Sequence, residues 1–237
     1  MFNFFHKKKE IVLDCFTDNP IAYHLAPVNY ANRSIPEWWN TLPTGKNRTH
    51  KNMKFCYGFV ELYKKGLILE SWTDFDFKIN QNEINFKYAS GNPPVQHNAA
   101  EYNFAYSEFN HLKLNSPWIF REKTGVKFIF KSDIWSQLGQ PYHVLDGIVE
   151  FEYNATTSVN IMIEKGHYDF SIKVGDPLAH IIPLIDENVR LKIKNHLVDK
   201  NELNKLFLNY VGFNRPLYDL IKLAKNKKEK LNKCPFK

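Results

Sequence analysis

Tyr168, Phe170, Ile172 and Val174 alternate with Asp169, Ser171 and Lys173. That period of two predicts a β-strand with one apolar and one wet face. Gly175-Asp176-Pro177 breaks the strand, and the apolar run Leu178 to Leu184 predicts a second buried strand beyond a tight corner. Strand-like runs recur upstream from Met53 in "MKFCYGFVELY", "GLILESWTDFDFKI" and "EINFKYA". Residues 113 to 133 read as two strands around Gly125, with Val126, Phe128 and Phe130 on one face. Residues 146 to 184 read as a meander turning near Asn154 to Thr157, Glu164 to His167 and Gly175 to Pro177.

Helical signals lie outside this region. "SIPEWWNTLP" (34 to 43) places Ser34 as a cap, Pro36 in the first turn and Glu37 three residues after the cap, which predicts a short helix presenting Trp38 and Trp39. Residues 1 to 34 read as an arm or edge segment of irregular structure, and 44 to 52 and 90 to 101 as polar loops. Beyond Leu184 the spacing of Leu203, Leu206, Phe207 and Tyr210, then of Leu217, Leu220, Ile221 and Ala224, predicts two closing helices. The resulting division is an arm and helix (1–52), a β domain (53–185), and helices with a tail (186–237).

Composition sharpens this picture. Nineteen Phe, twelve Tyr and five Trp against ten Gly favour strands, so the expected class is mainly β, or α+β. Cys15, Cys56 and Cys234 are odd in number and form no CxxC pair, which encodes neither a disulfide framework nor a zinc knuckle and suits a reducing compartment. "MFNFFHKKKE" has the wrong order for a secretory signal, and no apolar run reaches the roughly 18 residues of a membrane span. The expectation is a soluble, non-membrane protein made in the cytosol. Of the net charge of +7, residues 222 to 237 hold +6, seven lysines against Glu229. Lys225, Lys227, Lys228 and Lys230 thus belong to a basic tail on a near-neutral body, suited to an anionic partner rather than to a DNA-binding domain.

Nine histidines raise the question of a metal, but none has HxH, HExxH or HxxxH spacing with a helpful carboxylate, so no metal is expected. His111 and His143 flank predicted strands and could meet Glu150 only through the fold, and His180 reads as a satisfied core histidine or an interface residue. Cys56 reads as a small core residue of a strand. Trp38 and Trp39 could form a stacking platform, or plug the end of a barrel.

"GIVEFEYNA" (147 to 155), a following strand and "FSIKVGDPLAHII" resemble the third motif of trimeric dUTPases and the turn that follows it. The resemblance spans roughly residues 113 to 184 and implies a jelly-roll or β-clip barrel that trimerises. It puts Glu150 at the family's water-positioning Asp, Tyr153 where a ring packs under the deoxyribose, and Lys131-Ser132 where an Arg-Ser pair holds phosphate. Glu150 is one methylene longer than Asp, Lys131 lacks a guanidinium fork, and residues 201 to 237 hold only Gly212 where the family has a glycine-rich closing arm. The implication is a barrel without its complete catalytic set. The joint order "IPEWW", "MKFCYGF", "SPWIF", "GIVEFEY" and "GDPLAHIIPL" resembles an uncharacterised family of phage-encoded proteins common in marine phages, which implies a phage and its host cytoplasm as the setting.

The expected function is therefore a non-catalytic phage protein, either a virion component or a module binding a partner or small molecule. Lys131, His143, Trp38, Trp39 and the tail lysines are its candidate contacts, and it needs no cofactor. Two alternatives stand beside it. One is a diverged dUTP-like pyrophosphatase using Mg²⁺, Glu150, Tyr153 and Ser132, and the other a host-directed regulator acting through the tail.

Overall fold

A computed structural model describes residues 9–43, 53–81, 83–97, 108–133, 135–152, 157–186, 188–208 and 223. Its first elements are β1 (Lys9–Thr17), α1 (Pro20–Leu25), β2 (Asn29–Tyr30), α2 (Glu37–Thr41) and α3 (Tyr57–Tyr63). Strands β3 (Leu67–Glu70), β4 (Phe75–Asn80), β5 (Glu83–Tyr88), β6 (Val95–Gln96), β7 (Phe109–Leu114), β8 (Ile119–Arg121) and β9 (Lys127–Ser132) follow. Then come β10 (Tyr142–Val144), β11 (Gly147–Glu150), β12 (Val159–Glu164), β13 (His167–Ile172), β14 (Pro177–Pro183), β15 (Val189–Leu197) and α4 (Lys200–Leu208). The fold is mainly β, with several open sheets and few, short helices. No helix among the described residues is long and apolar enough to cross a membrane.

Among the described residues four sheets form, ordered β15-β1-β8, β10-β12-β7-β6, β11-β9-β14-β3-β2 and β13-β4-β5. One apolar core joins all four through residues such as Leu13, Leu112, Ile181 and Phe77. The alternation read for β13 is present, with Ile172 buried and Asp169 and Ser171 exposed. The meander is not. Strands β11 to β14 follow one another along the chain, yet no two of them pair, because each passes to a different sheet after its turn. At one crossing the Lys173–Asp176 corner is stitched to the β3–β4 corner: Ser71 N donates to Asp176 O, Gly175 N to Ser71 O, and Val174 N to Asp74 Oδ1. Gly175 has φ +88, a conformation that suits a residue without Cβ.

The five-stranded sheet is covered on both faces, which explains why β3 and β14 read as unbroken apolar runs rather than alternating ones. Leu67, Leu69, Ala179 and Ile181 enter the main core. Ile68 and its register partner His180 face away from it, and Ile68 joins Ala31, Phe59 and Tyr63 in a second cluster. Trp38, Trp39 and Trp135 pack against that cluster.

Several local readings change. "MKFCYGFVELY" is a 3₁₀ turn and α3 rather than a strand, because Phe59 and Tyr63, four apart, bury one helical face. Cys56 precedes that helix and is exposed, not in the core. The Trp-bearing helix forms, but Pro36 occupies its cap and Ser34 Oγ donates instead to Glu70 Oε1 at 3.0 Å. The arm expected in residues 1 to 34 contains regular β1, whose Ile11, Leu13 and Cys15 are buried. It runs parallel to β15 over nine pairs from Lys9↔Val189 to Thr17↔Leu197, so a strand precedes α4 where only helices were expected. Most of the second closing helix lies outside the described residues.

Candidate functional site

The chain crosses from the four-stranded to the five-stranded sheet at Val144–Gly147, between edge strands β10 and β11. Beside this corner opens a groove of about 520 Å³. Its polar wall belongs to the four-stranded sheet. Register puts Asn160 of β12 opposite Lys113 of β7, and two pairs further along sets Met162 opposite His111. His111 Nε2 lies 3.2 Å from Asn160 Oδ1. An amide oxygen only accepts, so that imidazole nitrogen carries the proton. His97 follows β6, its N–H donating to His111 O at 3.0 Å, and the two imidazoles stack with centroids 4.4 Å apart.

Ser158 extends this wall, while Phe130, Val144, Ile148, Val149 and Val159 supply apolar surface. Ile148 is 66% exposed, so the groove has an apolar lip open to solvent. Asp146 stands at the corner, its Oδ1 accepting from Ser132 N at 3.3 Å.

A second constellation is sealed behind the five-stranded sheet. Asp133 follows β9, is 1% exposed, and accepts the Tyr63 hydroxyl on Oδ1 at 2.5 Å. His180, fully buried, donates Nε2–H to Lys65 O at 2.7 Å. Asp133 Oδ2 and His180 Nδ1 have no hydrogen-bond partner. Burial, followed by the hydrogen bond and charge of Asp133, pushes the Tyr63 phenol far up. Burial also lowers the His180 imidazole, against the smaller opposing pulls of the Lys65 carbonyl and Asp133. Aromatic rings roof the cluster. Phe59 stacks on Trp39 at 4.1 Å and meets Trp38 at 5.6 Å and Trp135 at 5.3 Å, so the rings fill one another's space rather than frame a cage.

The residues singled out from the sequence are scattered across these places. Glu150 lies on edge strand β11, 3.7 Å from Lys127 Nζ. Ser132 Oγ donates to Gln137 Oε1 at 2.6 Å, and Lys131 Nζ to Ser132 O at 3.3 Å. His143 is exposed on β10 opposite Met162, and is not among the groove-lining residues. Trp38 and Trp39 belong to the aromatic roof, with Trp38 Nε1 donating to Trp135 O at 3.0 Å. Tyr153, Lys225, Lys227, Lys228 and Lys230 lie outside the described residues. His97, Lys113, Asn160 and Asp146 carried no local motif. A period-two pattern through His111 and Lys113 could have set those two on one face, but Asn160 joins them only through strand pairing. Among the described residues no group of three or more His, Cys, Asp or Glu is arranged to hold a metal. No family model matches this chain, and neither does any curated protein.

Proposed function

We propose that this protein is a non-catalytic binding module that holds a small ligand in the groove beside the β10–β11 corner. The observation that carries the reading is the convergence there of imidazole, ammonium, amide and hydroxyl groups from the four-stranded sheet with apolar side chains from both sheets, around about 520 Å³. Clefts of that size with a few placed polar groups are the ordinary form of a small-molecule site. His111, Asp146 and Glu150, in and beside it, serve the scaffold: His111 bonds Asn160, Asp146 receives Ser132 N–H, and Glu150 faces Lys127. Such fixed pairings favour holding a ligand over moving its protons.

The proposed scaffold is a jelly-roll or β-clip barrel, a reading supported by strands that change sheet at every corner from β11 to β14. The proposed setting is a phage, in its host's cytoplasm or in the particle, and the proposed assembly is a homotrimer that covers strand edges. Quantitative mass spectrometry of purified virions, together with sedimentation, tests setting and assembly. The binding reading is tested by thermal melting of wild type and Ile148→Trp, which fills the groove mouth, against a panel of small acids, phosphates, amines and sugars. Ligands that raise the wild-type melt alone, and are recovered chemically unchanged after incubation, are expected. A ligand consumed by the protein, or equal shifts in both proteins, would overturn the proposal.

A further inference from the structure

We infer that the groove selects a small organic anion, a carboxylate or phosphate monoester carrying a compact apolar body. This rests on the binding reading above and specifies its ligand. The polar wall is rich in donors. Lys113 brings an ammonium group and His97 a ring nitrogen, each with interactions of its own in the protein, and Ser158 brings a hydroxyl whose Oγ donates to Asn115 Oδ1 at 3.5 Å. Asn160, whose Oδ1 already accepts from His111, offers its Nδ2–H₂. Strand geometry packs these groups closely: His111 and Lys113 are two residues apart on one face of β7, about 7 Å, and Asn160 sits directly across from Lys113. Ligand oxygens placed there accept several hydrogen bonds at once, one of them from a cation, and such charge-assisted bonds are roughly twice as strong as neutral ones.

The body of the ligand has its own surface. Phe130, Val144, Val149 and Val159 line the groove, and Ile148 forms its open lip. Asp146 carries the opposite charge at the corner, and its Oδ1 is already bonded to Ser132 N. It disfavours a second negative group at that end, which points to a ligand with one acidic head rather than an anion charged at both ends.

The test is chemical-shift mapping on the full chain with five probes: phenyl phosphate, benzoate, benzyl alcohol, benzylamine and inorganic phosphate. Phenyl phosphate, benzoate or both are expected to move the signals of His97, Lys113, Asn160 and Ile148, and which of the two binds tighter identifies the acid. Benzyl alcohol, lacking charge, and inorganic phosphate, lacking a body, are expected to bind at least about tenfold more weakly. Lys113→Gln is expected to weaken the acidic probe by about tenfold with only a small change in the melt. Benzyl alcohol or benzylamine binding in the groove as tightly as the acids would overturn the anion assignment while leaving the binding reading intact. An absence of groove shifts with all five probes, together with no hit from the wider panel, would sink both.

Discussion

The groove and the sealed cluster contain similar side chains, histidine, a carboxylate and hydroxyl or amide partners, yet physical chemistry gives them different work. Behind the five-stranded sheet, burial holds the Tyr63 proton in place and pushes His180 toward its neutral form. Unpaired charge is expensive there, so the cluster's value lies in the packing it orders. Beside the β10–β11 corner the same kinds of group reach solvent, where a ligand can exchange with water. The contrast teaches that residue type alone does not mark a site; access does.

The comparison breaks most visibly in the sealed region. Phe59→Ala removes the ring that touches Trp38, Trp39, Tyr63 and Trp135, and a loss of about 3–5 kcal/mol in urea unfolding is expected. A loss under about 1 kcal/mol would show that the aromatic roof is dispensable. Next in size, Tyr63→Phe strips Asp133 Oδ1 of its hydroxyl donor, and a cost of about 1–3 kcal/mol is expected.

A smaller effect follows from pH. The folded state holds His180 below its ordinary value near 6.5, so it disfavours the proton that the unfolded chain accepts. The stability contribution of His180 is therefore complete above 6.5 and is lost as pH falls from there toward the folded value. Asp133 and Lys131 are the charged groups acting on it, pulling in opposite directions. Between about pH 7 and about pH 5, wild type is expected to lose more stability than His180→Gln. Parallel curves for the two proteins would remove His180 from the account of acid sensitivity.

Much of the fold was legible, and the gaps have physical causes. The wet and dry faces of β13 follow from alternation, and the unbroken run of β14 from burial on both faces. Helix α3 was hidden because its Tyr, Phe and Val are also strand formers, and only the four-residue spacing of Phe59 and Tyr63 distinguishes the two. β1 and β15 meet across some 180 residues, a pairing that no local window contains. The candidate site was less legible still. Lys113 and Asn160 face each other through register, and Asp133 finds Tyr63 seventy positions away, so neither leaves a motif.

The division of labour between the two regions is tested most directly by one paired measurement: the dissociation constant for phenyl phosphate or benzoate and the melting temperature, taken side by side for wild type, Tyr63→Phe and Lys113→Gln. A crossed pattern is expected, with Tyr63→Phe lowering the melt while the affinity stays within about twofold, and Lys113→Gln weakening the affinity about tenfold while the melt changes far less than in Tyr63→Phe. Wild type that binds neither acid, or a single variant that moves both quantities together, would contradict it.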